Sequence, residues 1–414
     1  MKAGTLLVLA VGAGGILAGA VWLSGARSAA VAPAQGSALV AGLLERVNDA
    51  ASITITGPGA AGTRVTELRR GDDGTWALLL ENTESGPRFP VRADKVRETL
   101  IALAEAQVRE EKTSNPANYA RLGVQDVDLN AQGAEGEPGV PFRPRSIVVR
   151  DGKGAELASV IVGMQATQVG GAERAGSGRA GTFVRRAGNP TALLVEVERG
   201  FGPGGLVVDV DPSVWLAREI ANVERERIAS VEIRRGENDA EAVRASRPDE
   251  KTAALTLSVP EGKQSKGEGA LSPLLSLFSL LTLDEVRPAK DEMAGEVVTT
   301  VGRTFDGLIV TVRQAKIEGA WWARVEAGFE DPASGAVGGG EGEGVQARPA
   351  RKSAEEVRRE AEKINARAKG WEFKLPEFKG NQLATKLSEL LEEPAPPAPP
   401  APPATAGPPA PPAP

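Results

Sequence analysis

The sequence predicts an α+β fold: two similar units of mostly antiparallel sheet, each ordered strand, strand, helix and strand meander, behind an N-terminal transmembrane helix. Three observations predict it. Short apolar runs alternate with polar residues and are bounded by Gly, Asp, Asn and Pro turns, which indicates strands and hairpins with fewer helices. Short phrases of the first half recur in the second at a nearly constant spacing. The N-terminal stretch is apolar and uncharged.

The N-terminal stretch is long enough to cross a membrane. Between Lys2 and Arg27 lie 24 uncharged residues, and at about 1.5 Å per residue they span a hydrocarbon core of roughly 30 Å. We predict residues 1–27 as an uncleaved anchor rather than a cleaved signal peptide, since Pro33 would follow the small-x-small site at residues 30–32. The basic amino end is expected in the cytoplasm, with the bulk of the chain periplasmic or otherwise extracytoplasmic.

Composition divides the remaining chain. Residues 28–36 are an Ala/Pro/Gly/Gln linker, and residues 394–414, almost wholly Pro and Ala, predict a disordered tail. Between them we predict a first α+β unit over residues 37–215 and a second over residues 216–393. A Gly/Glu-rich run near residues 331–350 predicts a flexible loop in the second unit.

The internal repeat is short but ordered. Residues 51–55 recur as residues 229–233 at an offset of 178, and residues 75–78 recur as residues 252–255 at an offset of 177. Further along the chain, four more residues recur at an offset of 177 or 178: Leu100, Leu103, Val108 and Arg109 correspond to Leu277, Leu280, Val286 and Arg287. We therefore expect each unit to open with a strand and to contain the same order of elements.

Residue periodicity places the elements. Alternation of apolar and polar residues predicts strands at residues 53–56, 76–80, 146–149, 157–162, 182–184, 193–195, 297–301, 308–312 and 321–327. Turns are predicted at residues 71–74, 151–152 and 189–190. Apolar stripes at helical spacing predict helices at residues 94–106, 274–283, 355–369 and 383–391.

The composition excludes several classes of chemistry. The chain has no Cys and no His, so disulfides, thiolate nucleophiles, Cys/His metal sites and histidine-dependent triads are excluded. Lys+Arg 49 against Asp+Glu 55 gives a net charge of −6, which supplies no basic field for a phosphate backbone. We therefore expect no enzyme activity, no cofactor, no metal and no nucleic-acid partner.

Two motifs have a spelling that suggests ligands, but their contexts favour loops. Residues 200–205 fit GxGxxG, yet an extended apolar run follows where a dinucleotide site needs a helix. The oxygens of Asp126, Asp128, Asn130 and Glu137 have calcium-loop spacing, but Ala131 stands where the loop needs Gly and prolines break the following helix. We interpret the second segment as a solvated acidic loop.

A pair of carboxylates, Asp209 and Asp211, lies two residues apart at a strand end. Such a pair can transfer protons, but the sequence around Asp211 and Pro212 is typical of the start of a helix that carries Trp215. We therefore predict that Asp211 caps this helix.

The strongest candidate for an interaction surface is a tryptophan pair. Strand alternation places Trp321 on the side of the core and Trp322 on the side of Arg324 and Glu326. Two interpretations remain open for Trp322. It contacts a partner or a glycan, or neighbouring long charged side chains cover it. The candidate interaction residues are therefore Trp322, Arg324 and Glu326.

In the predicted anchor, Gly15 and Gly19 form a GxxxG step. This spacing is a candidate contact between two anchor helices, because small residues let helix backbones approach closely in a bilayer. The oligomeric state is left open.

Several phrases resemble a known family. They are EKTSNPANYARLGV at residues 111–124, LASVIVG at residues 157–163, FVRR at residues 183–186 and GWEFKLPEF at residues 370–378. The sequence is similar in these phrases to the bacterial family catalogued as domain of unknown function 4340. The resemblance implies a single-pass envelope protein whose genes often neighbour those of an ABC transport system of the gliding-motility type. It implies no enzyme activity and carries over no functional residue.

The first expectation is therefore a non-enzymatic, membrane-anchored envelope protein of the inner membrane. It would serve as an accessory or scaffold of an ABC transport assembly, with the lipid bilayer and transporter subunits as partners. The alternative is an anchored periplasmic binding module for cell-wall glycan or peptide. A third interpretation is a carboxylate-based envelope hydrolase.

Overall fold

The chain folds into two compact units, Met1–Arg218 and Glu219–Pro414. The structure is a computed structural model, and it describes residues 35–60, 62–80, 86–133, 142–166, 181–197, 206–236, 239–331 and 351–392. In these ranges every strand pair is antiparallel, and each unit has one large sheet with a few helices. The prediction of an α+β fold made mostly of antiparallel sheet is confirmed.

Several predicted segments lie outside the described residues. They are the anchor with Gly15 and Gly19, most of the linker, the GxGxxG run, most of the Gly/Glu-rich loop and the Pro-rich tail. Among the helices that the structure describes, none is both long enough and apolar enough to cross a membrane.

The first unit contains, in its described ranges, a nine-stranded sheet. Its strands are β1 (Ala50–Pro58), β2 (Thr63–Arg70), β3 (Trp76–Leu79), β4 (Arg88–Pro90), β5 (Gln107–Thr113), β6 (Arg145–Asp151), β7 (Glu156–Gln165), β8 (Thr182–Arg186) and β9 (Ala192–Glu196). Its helices are α1 (Leu43–Arg46), α2 (Ala93–Glu105), α3 (Tyr119–Leu122) and α4 (Pro212–Trp215), with 3₁₀ turns at Val47–Asp49 and Pro116–Asn118.

The core of the first unit follows from the residue periods. In β1 the alternate residues Ile53 and Ile55 are fully buried, as strand geometry requires. In α2 the residues Val96, Leu100 and Leu103 recur every three or four positions and are buried together. The helix therefore covers an apolar area with one stripe and leaves its other side to solvent.

The second unit contains, where the structure describes it, an eight-stranded sheet and a separate two-stranded pair. Its strands are β10 (Glu219–Ala221), β11 (Ile228–Arg235), β12 (Val243–Ser246), β13 (Thr256–Leu257), β14 (Leu281–Thr282), β15 (Glu285–Pro288), β16 (Val298–Thr304), β17 (Leu308–Ile317), β18 (Ala320–Phe329) and β19 (Trp371–Lys374). Its helices are α5 (Glu268–Leu271), α6 (Ala354–Ala368), α7 (Glu377–Leu383) and α8 (Leu387–Leu390), with 3₁₀ turns at Arg225–Arg227 and Ser272–Ser276.

The two large sheets have matching connectivity. The first has the order β4-β3-β2-β1-β6-β7-β8-β9-β5, and the second has the order β13-β12-β11-β16-β17-β18-β19-β15. Without β4, each strand of the first sheet corresponds to the strand of the second that comes in the same sequence order. In both sheets, therefore, the chain leaves one edge, after β4 in the first and β13 in the second, and returns to the far edge as β5 or β15 after a helical segment.

The start of each unit repeats in detail. A 3₁₀ turn directly precedes β1 and β11. An arginine just after or at the end of the next strand donates to the carbonyl of the middle residue of that turn: Arg70 to Asn48 over 2.9 Å, and Arg247 to Glu226 over 2.8 Å. The same backbone group is thus satisfied by the same kind of side chain in both units.

The pairing irregularities also repeat. The register of β1 against β6 shifts between Ala50 and Ser52, and that of β11 against β16 shifts between Ile228 and Ser230. Both positions differ by 178 residues, the offset found in the sequence. A bulge is a specific backbone feature that re-aims a strand, so its repetition extends the likeness from strand order to local geometry.

The turn after the second strand is similar in both units. Asp73 accepts hydrogen bonds from the backbone N–H and hydroxyl of Thr75, over 3.0 and 2.7 Å. Asp249 accepts the corresponding bonds from Thr252, over 2.8 and 2.9 Å. These bonds hold the pKa of each carboxyl below its usual value. The largest influence is the bond from the Thr75 hydroxyl for Asp73 and the bond from the Thr252 N–H for Asp249.

The second unit differs by an insertion between β18 and β19. It includes α6, whose Ser353 and Glu356 form a reciprocal capping box and whose Val357 and Ile364 face the interior. The amide of Asn365 donates to the carbonyl of Ala327 over 2.7 Å and accepts from its N–H over 2.8 Å. This side chain therefore satisfies the backbone of β18 where β19 does not pair with it.

The predicted helix at residues 274–283 is wrong in its extent. The helical part runs from Glu268 to Ser276, and residues 281–282 form β14. Leu280, matched in sequence with the buried Leu103, is instead 64% exposed and has a positive φ of 46°. The reason is that a run of leucines is apolar on all sides and carries no period that distinguishes a helix from a turn and a strand.

Two smaller differences concern register and boundaries. Strand pairing matches Leu78 with Leu257 rather than with Leu255, because Leu78 pairs with Leu68 and Leu257 with Ala245 at corresponding places. The last predicted helix, residues 383–391, is divided into α7, which ends at Leu383, and α8.

Candidate functional site

The candidate interaction residues lie on one face of β18. Trp322, Arg324 and Glu326 alternate with Ala323 and Val325, which are buried. The alternation is that of a strand with one face on the core. Trp322 and Arg324 are half-buried and Glu326 is exposed, so the sequence assigned this face correctly as the polar one.

A buried carboxylate from the next strand holds this face together. Glu372 of β19 is only 1% exposed. Its Oε1 accepts from Arg324 Nε over 3.0 Å and Nη2 over 2.6 Å, and its Oε2 accepts from Arg287 Nε over 2.8 Å. Glu372 therefore bridges two arginines that come from β15 and β18, one on each side of β19.

The arginine from β15 also covers the tryptophan. The guanidinium carbon of Arg287 lies 3.8 Å from the centre of the Trp322 ring, which is a close cation–π contact. We refer to Trp322, Arg324, Glu326, Arg287 and Glu372 together as the Trp322 face. The planar guanidinium and the indole form one stacked surface, held in orientation by Glu372.

The charge state of Glu372 follows from its partners. Burial is the largest single influence and by itself would raise its pKa, but the hydrogen bonds from Arg324 and Arg287 outweigh it. The net pKa lies below the ordinary glutamate value. Glu372 is therefore ionised at neutral pH and orients the two arginines rather than donating a proton.

Two residues of the Trp322 face, Arg324 and Glu326, also line a cavity. The cavity has a volume of about 370 Å³, and Arg313, Arg324, Glu326, Asp291 and Met293 are among the residues that line it. Arg324 joins the two features, because its Nη1 also donates to the backbone carbonyl of Asp291 over 3.3 Å. A ligand in this cavity would therefore contact charged groups of both signs and the apolar side chain of Met293.

A second charged cluster lies at the start of α6. Arg227 donates from Nε to Asp306 over 2.8 Å and from Nη1 to Glu360 over 2.9 Å, and Lys352 donates to Glu360 over 2.9 Å. Burial alone would lower the pKa of Arg227, but the hydrogen bonds that it donates to the Glu360 and Asp306 carboxylates leave it raised. Burial likewise opposes ionisation of Glu360, yet Arg227 and Lys352 keep its pKa low. This cluster links α6 to the turn before β11.

The Arg227 cluster forms one wall of a cavity of about 260 Å³. Its other walls include Arg247, Phe305 and the paired residues Arg351 and Glu250. Arg247 is 8% exposed and donates to the carbonyls of Ile228 and Thr252. The charged groups named here are occupied by partners within the chain, so their first role is to join segments of the second unit.

The other predicted motifs have structural roles where the structure describes them. Asp211 accepts from the N–H of Ser213 over 2.9 Å and caps α4, as the sequence predicted. Asp126 pairs with Arg185 at 2.5 Å, and Asp128 accepts from the N–H of Asn130 over 2.8 Å.

Glu137 of the calcium-like motif and the GxGxxG run lie outside the described residues. Within the described ranges, no group of three or more acidic side chains is placed to hold a metal ion.

The predicted core position of Trp321 needs correction. Its ring packs against Gly380, where an added Cβ would lie 2.2 Å from ring atoms. Its Nε1 donates to Asn381 over 2.8 Å, and the side chain is half-buried. The residue lies close to the turn between β17 and β18, so α7 covers it only in part.

Sequence reasoning missed Arg287 and Glu372 as members of the Trp322 face. Glu372 lies between Trp371 and Phe373, a pattern that indicates a polar position on a strand and gives no sign of burial. Its partners Arg324 and Arg287 are 48 and 85 residues away. Only the pairing of β15, β19 and β18 brings them together.

The protein is thus an α+β protein of two units with matching antiparallel sheets. The second unit carries a surface on which the Arg287 guanidinium lies over the Trp322 ring. The sequence model of the family described as Domain of unknown function (DUF4340) matches residues 76–296. This match spans more than half of the 414 residues, and the chain belongs to this family. No curated protein matches the chain. No solved structure matches it either.

Proposed function

We propose that the protein is a non-enzymatic, membrane-anchored envelope protein that acts as an accessory or scaffold of an ABC transport assembly of the gliding-motility type. In this proposal the apolar segment at residues 1–27 anchors the chain in the inner membrane and the two units lie on the extracytoplasmic side. The Trp322 face contacts a protein subunit of the assembly. The transport context rests on what the family resemblance implies.

The observation that carries the proposal is the Arg287–Trp322 stack. Tryptophan and arginine are the residues most enriched at energetically dominant positions of protein interfaces, because they combine a large apolar area with directed hydrogen bonds. Glu372 fixes both arginines before any partner arrives. A surface that is already ordered loses less side-chain entropy on binding, which favours recognition.

The charge state of the buried carboxylates supports a scaffold over a hydrolase. A carboxylate-based hydrolase needs one carboxyl group whose pKa is raised so that it can donate a proton. In Glu372 and Glu360 the pKa is lowered instead, since arginines compensate their burial. Their arrangement stabilises structure and orients cations.

We infer that the two units arose by duplication of one ancestral unit. The matching strand order, the bulges 178 residues apart and the equivalent arginine-to-carbonyl bonds support this inference. The insertion with α6 and the Trp322 face belong to the second unit. We therefore place partner recognition in that unit.

The alternative function is an anchored binding module for cell-wall glycan or peptide. The same stack favours it, because an indole ring beside fixed arginines and acids offers an apolar face and hydrogen bonds to a sugar or a peptide. The cavity of about 370 Å³ beside Arg324 would hold part of such a ligand.

Mild crosslinking in cells followed by affinity recovery of the full chain distinguishes the two functions. The scaffold proposal predicts recovery of membrane transport subunits from wild type. It also predicts at least a fivefold loss in the variant Trp322→Ala and wild-type recovery in the control Leu129→Ala, since Leu129 is 67% exposed on the first unit. Recovery of sacculus material without transport subunits would overturn the scaffold proposal in favour of the binding module.

The membrane orientation has its own test. A reporter that is active only outside the cytoplasm, fused after Glu393, is expected to be active. Activity of a cytoplasm-only reporter at the same place would contradict the proposed orientation.

A further inference from the structure

The two units differ in the connection that leads from the far edge of each sheet back to its centre. In the first unit this connection joins β5 to β6 and comprises residues 114–144, which is 31 residues. In the second unit it joins β15 to β16 and comprises residues 289–297, which is only 9 residues. The second unit therefore has much less chain at this point with which to cover a face of its sheet.

The long connection of the first unit lies on one face of its sheet. Arg185 of β8 donates to the carbonyl of Val124 over 2.9 Å and pairs with Asp126 at 2.5 Å. On the neighbouring strand β7, Gly163 has no space for a Cβ, because the carbonyl oxygen of Leu122 lies against it. The first unit thus covers this face with a polypeptide segment of its own, and an acidic side chain of that segment meets an arginine of the face.

Two positions that are buried on this face of the first unit carry arginines in the second. Ile161 pairs with Arg185, and the strand register places Thr56 two strands away from Ile161 on the same face. The corresponding residues of the second sheet are Arg234, at the offset of 178 from Thr56, and Arg313, two strands away at matching register. Thr56 and Ile161 are 9% and 4% exposed, whereas Arg234 is half-buried and Arg313 is exposed. The second unit therefore presents charged side chains where the first unit buries uncharged ones.

Three arginines of the second sheet form this surface, and we refer to Arg234, Arg303 and Arg313 together as the arginine face. They belong to the neighbouring strands β11, β16 and β17, on the side opposite to the buried Ile233 and Val312. Among the residues that the structure describes, their side chains have no ion-pair or hydrogen-bond partner. With about 4.8 Å between strands, Arg234 and Arg313 start about 10 Å apart. The arginine face therefore offers several guanidinium groups to one extended ligand.

Carboxylates border the arginine face and restrict the kind of anion that fits it. Glu232 is already paired with Arg244, at 3.2 Å. Glu326 and residues 291–292 line the cavity beside Arg313. A membrane surface or a phosphate polymer carries dense negative charge and would be repelled by these groups. A polypeptide segment places single carboxylates on the arginines and leaves the acidic border uncovered, so the charge pattern favours a polypeptide.

We propose that the arginine face binds an acidic polypeptide segment of a partner protein, at the place where the first unit binds its own connection. Carboxylates of that segment accept hydrogen bonds from the three arginines, as Asp126 accepts from Arg185 in the first unit. A guanidinium suits this partner because its planar fork donates two parallel N–H bonds to a carboxylate. The proposal does not rest on the proposed function, since it concerns residues outside the Trp322 face and requires no transport assembly.

Fluorescence anisotropy with the full chain in non-ionic detergent micelles at pH 7 tests the proposal. The probe is a labelled peptide, blocked at both ends, in which three Glu alternate with Ser, and the comparison peptide has Gln in place of Glu. Inorganic polyphosphate serves as a competitor. We expect the Glu peptide to bind wild type at least tenfold more tightly than the Gln peptide. Its binding should weaken at least tenfold between about 50 and about 300 mM salt, because salt screens exposed charges.

Variants assign the binding to the arginine face. Arg303→Gln combined with Arg313→Gln is expected to weaken the Glu peptide at least tenfold. The matched control, Arg97→Gln combined with Arg121→Gln, removes the same charge from exposed arginines of the first unit and should leave binding unchanged. Replacing Arg303 and Arg313 by Lys keeps the charge and should weaken binding less, which keeps the proposal testable if the Gln variant does not fold. Absence of binding to wild type, equal binding of the Glu and Gln peptides, equal losses in the two Gln variants, or tighter binding of polyphosphate than of the Glu peptide would overturn the proposal.

Discussion

Replacing Glu372 by Gln tests the role given to the buried carboxylate of the Trp322 face. Gln has nearly the same shape but no charge, and one of its two terminal atoms is a donor that faces a guanidinium. Removal of one partner of a fully buried ion pair costs about 3–5 kcal/mol. Because Arg287 and Arg324 are 30% and 27% exposed, water solvates part of their charge, and we expect a loss of about 2–3 kcal/mol in the free energy of unfolding.

The assay is urea unfolding of the full chain followed by tryptophan fluorescence, in which Trp321, Trp322 and Trp371 report on β18 and β19 and Trp76 and Trp215 report on the first unit. The matched control is Glu232→Gln, which removes an ion pair with Arg244 on the same sheet. That pair is more exposed, at 28% and 56%, and exposed pairs contribute about 0.2–1 kcal/mol. Equal losses in the two variants, or a gain of stability in Glu372→Gln, would contradict a stabilising role of the buried Glu372 carboxylate.

The pH dependence of the same pair follows from the sign of the shift. The folded-state pKa of Glu372 lies below the unfolded value of about 4.3. Its contribution to stability is therefore full above the unfolded pKa and is lost as the pH falls through the folded pKa. The difference between wild type and Glu372→Gln should stay constant from pH 7 to about 5 and shrink below it. A difference that grows on acidification would contradict this.

Two further substitutions test the packing and the repeat. Gly302→Ala places a Cβ 2.3 Å from the ring of the fully buried Phe278 and should destabilise the second unit by about 1–3 kcal/mol. Gly269→Ala is the control and should be neutral, since the space around Gly269 is open. Thermal unfolding of both variants measures the difference. Arg247→Met should lower the free energy of unfolding by about 1–3 kcal/mol, because it leaves buried carbonyls unsatisfied. Arg70→Met should lower it clearly less, because Arg70 is exposed. An equal loss would contradict the difference in burial between the two arginines.

The local part of the fold is predictable from the sequence because its signals are local. Ile53 and Ile55 define a strand by alternation, and Val96, Leu100 and Leu103 define a helix stripe, as the structure has them. The cap of α4 by Asp211 is likewise encoded in adjacent residues. These elements need no knowledge of distant contacts.

The remaining features depend on contacts between distant residues. The buried state of Glu372 arises only when strand register places Arg287 and Arg324 on either side of it. The conformation of Leu280 ends a leucine-rich run whose composition is the same for helix, turn and strand. That the Arg313 side chain has no partner among the described residues is also a property of packing, and no residue pattern signals it.

The proposed contact between the Trp322 face and a subunit of a transport assembly can be tested directly in cells. The most direct measurement is site-specific photocrosslinking in cells, with a photoreactive amino acid at Glu326, which is exposed beside Trp322 and Arg324, and in parallel at Leu129 of the first unit. We expect a crosslink from position 326 to an integral membrane transport subunit, lost when Trp322 is replaced by Ala, and none to that subunit from position 129. Crosslinks from position 326 to cell-wall material alone, or the same products from both positions, would contradict it.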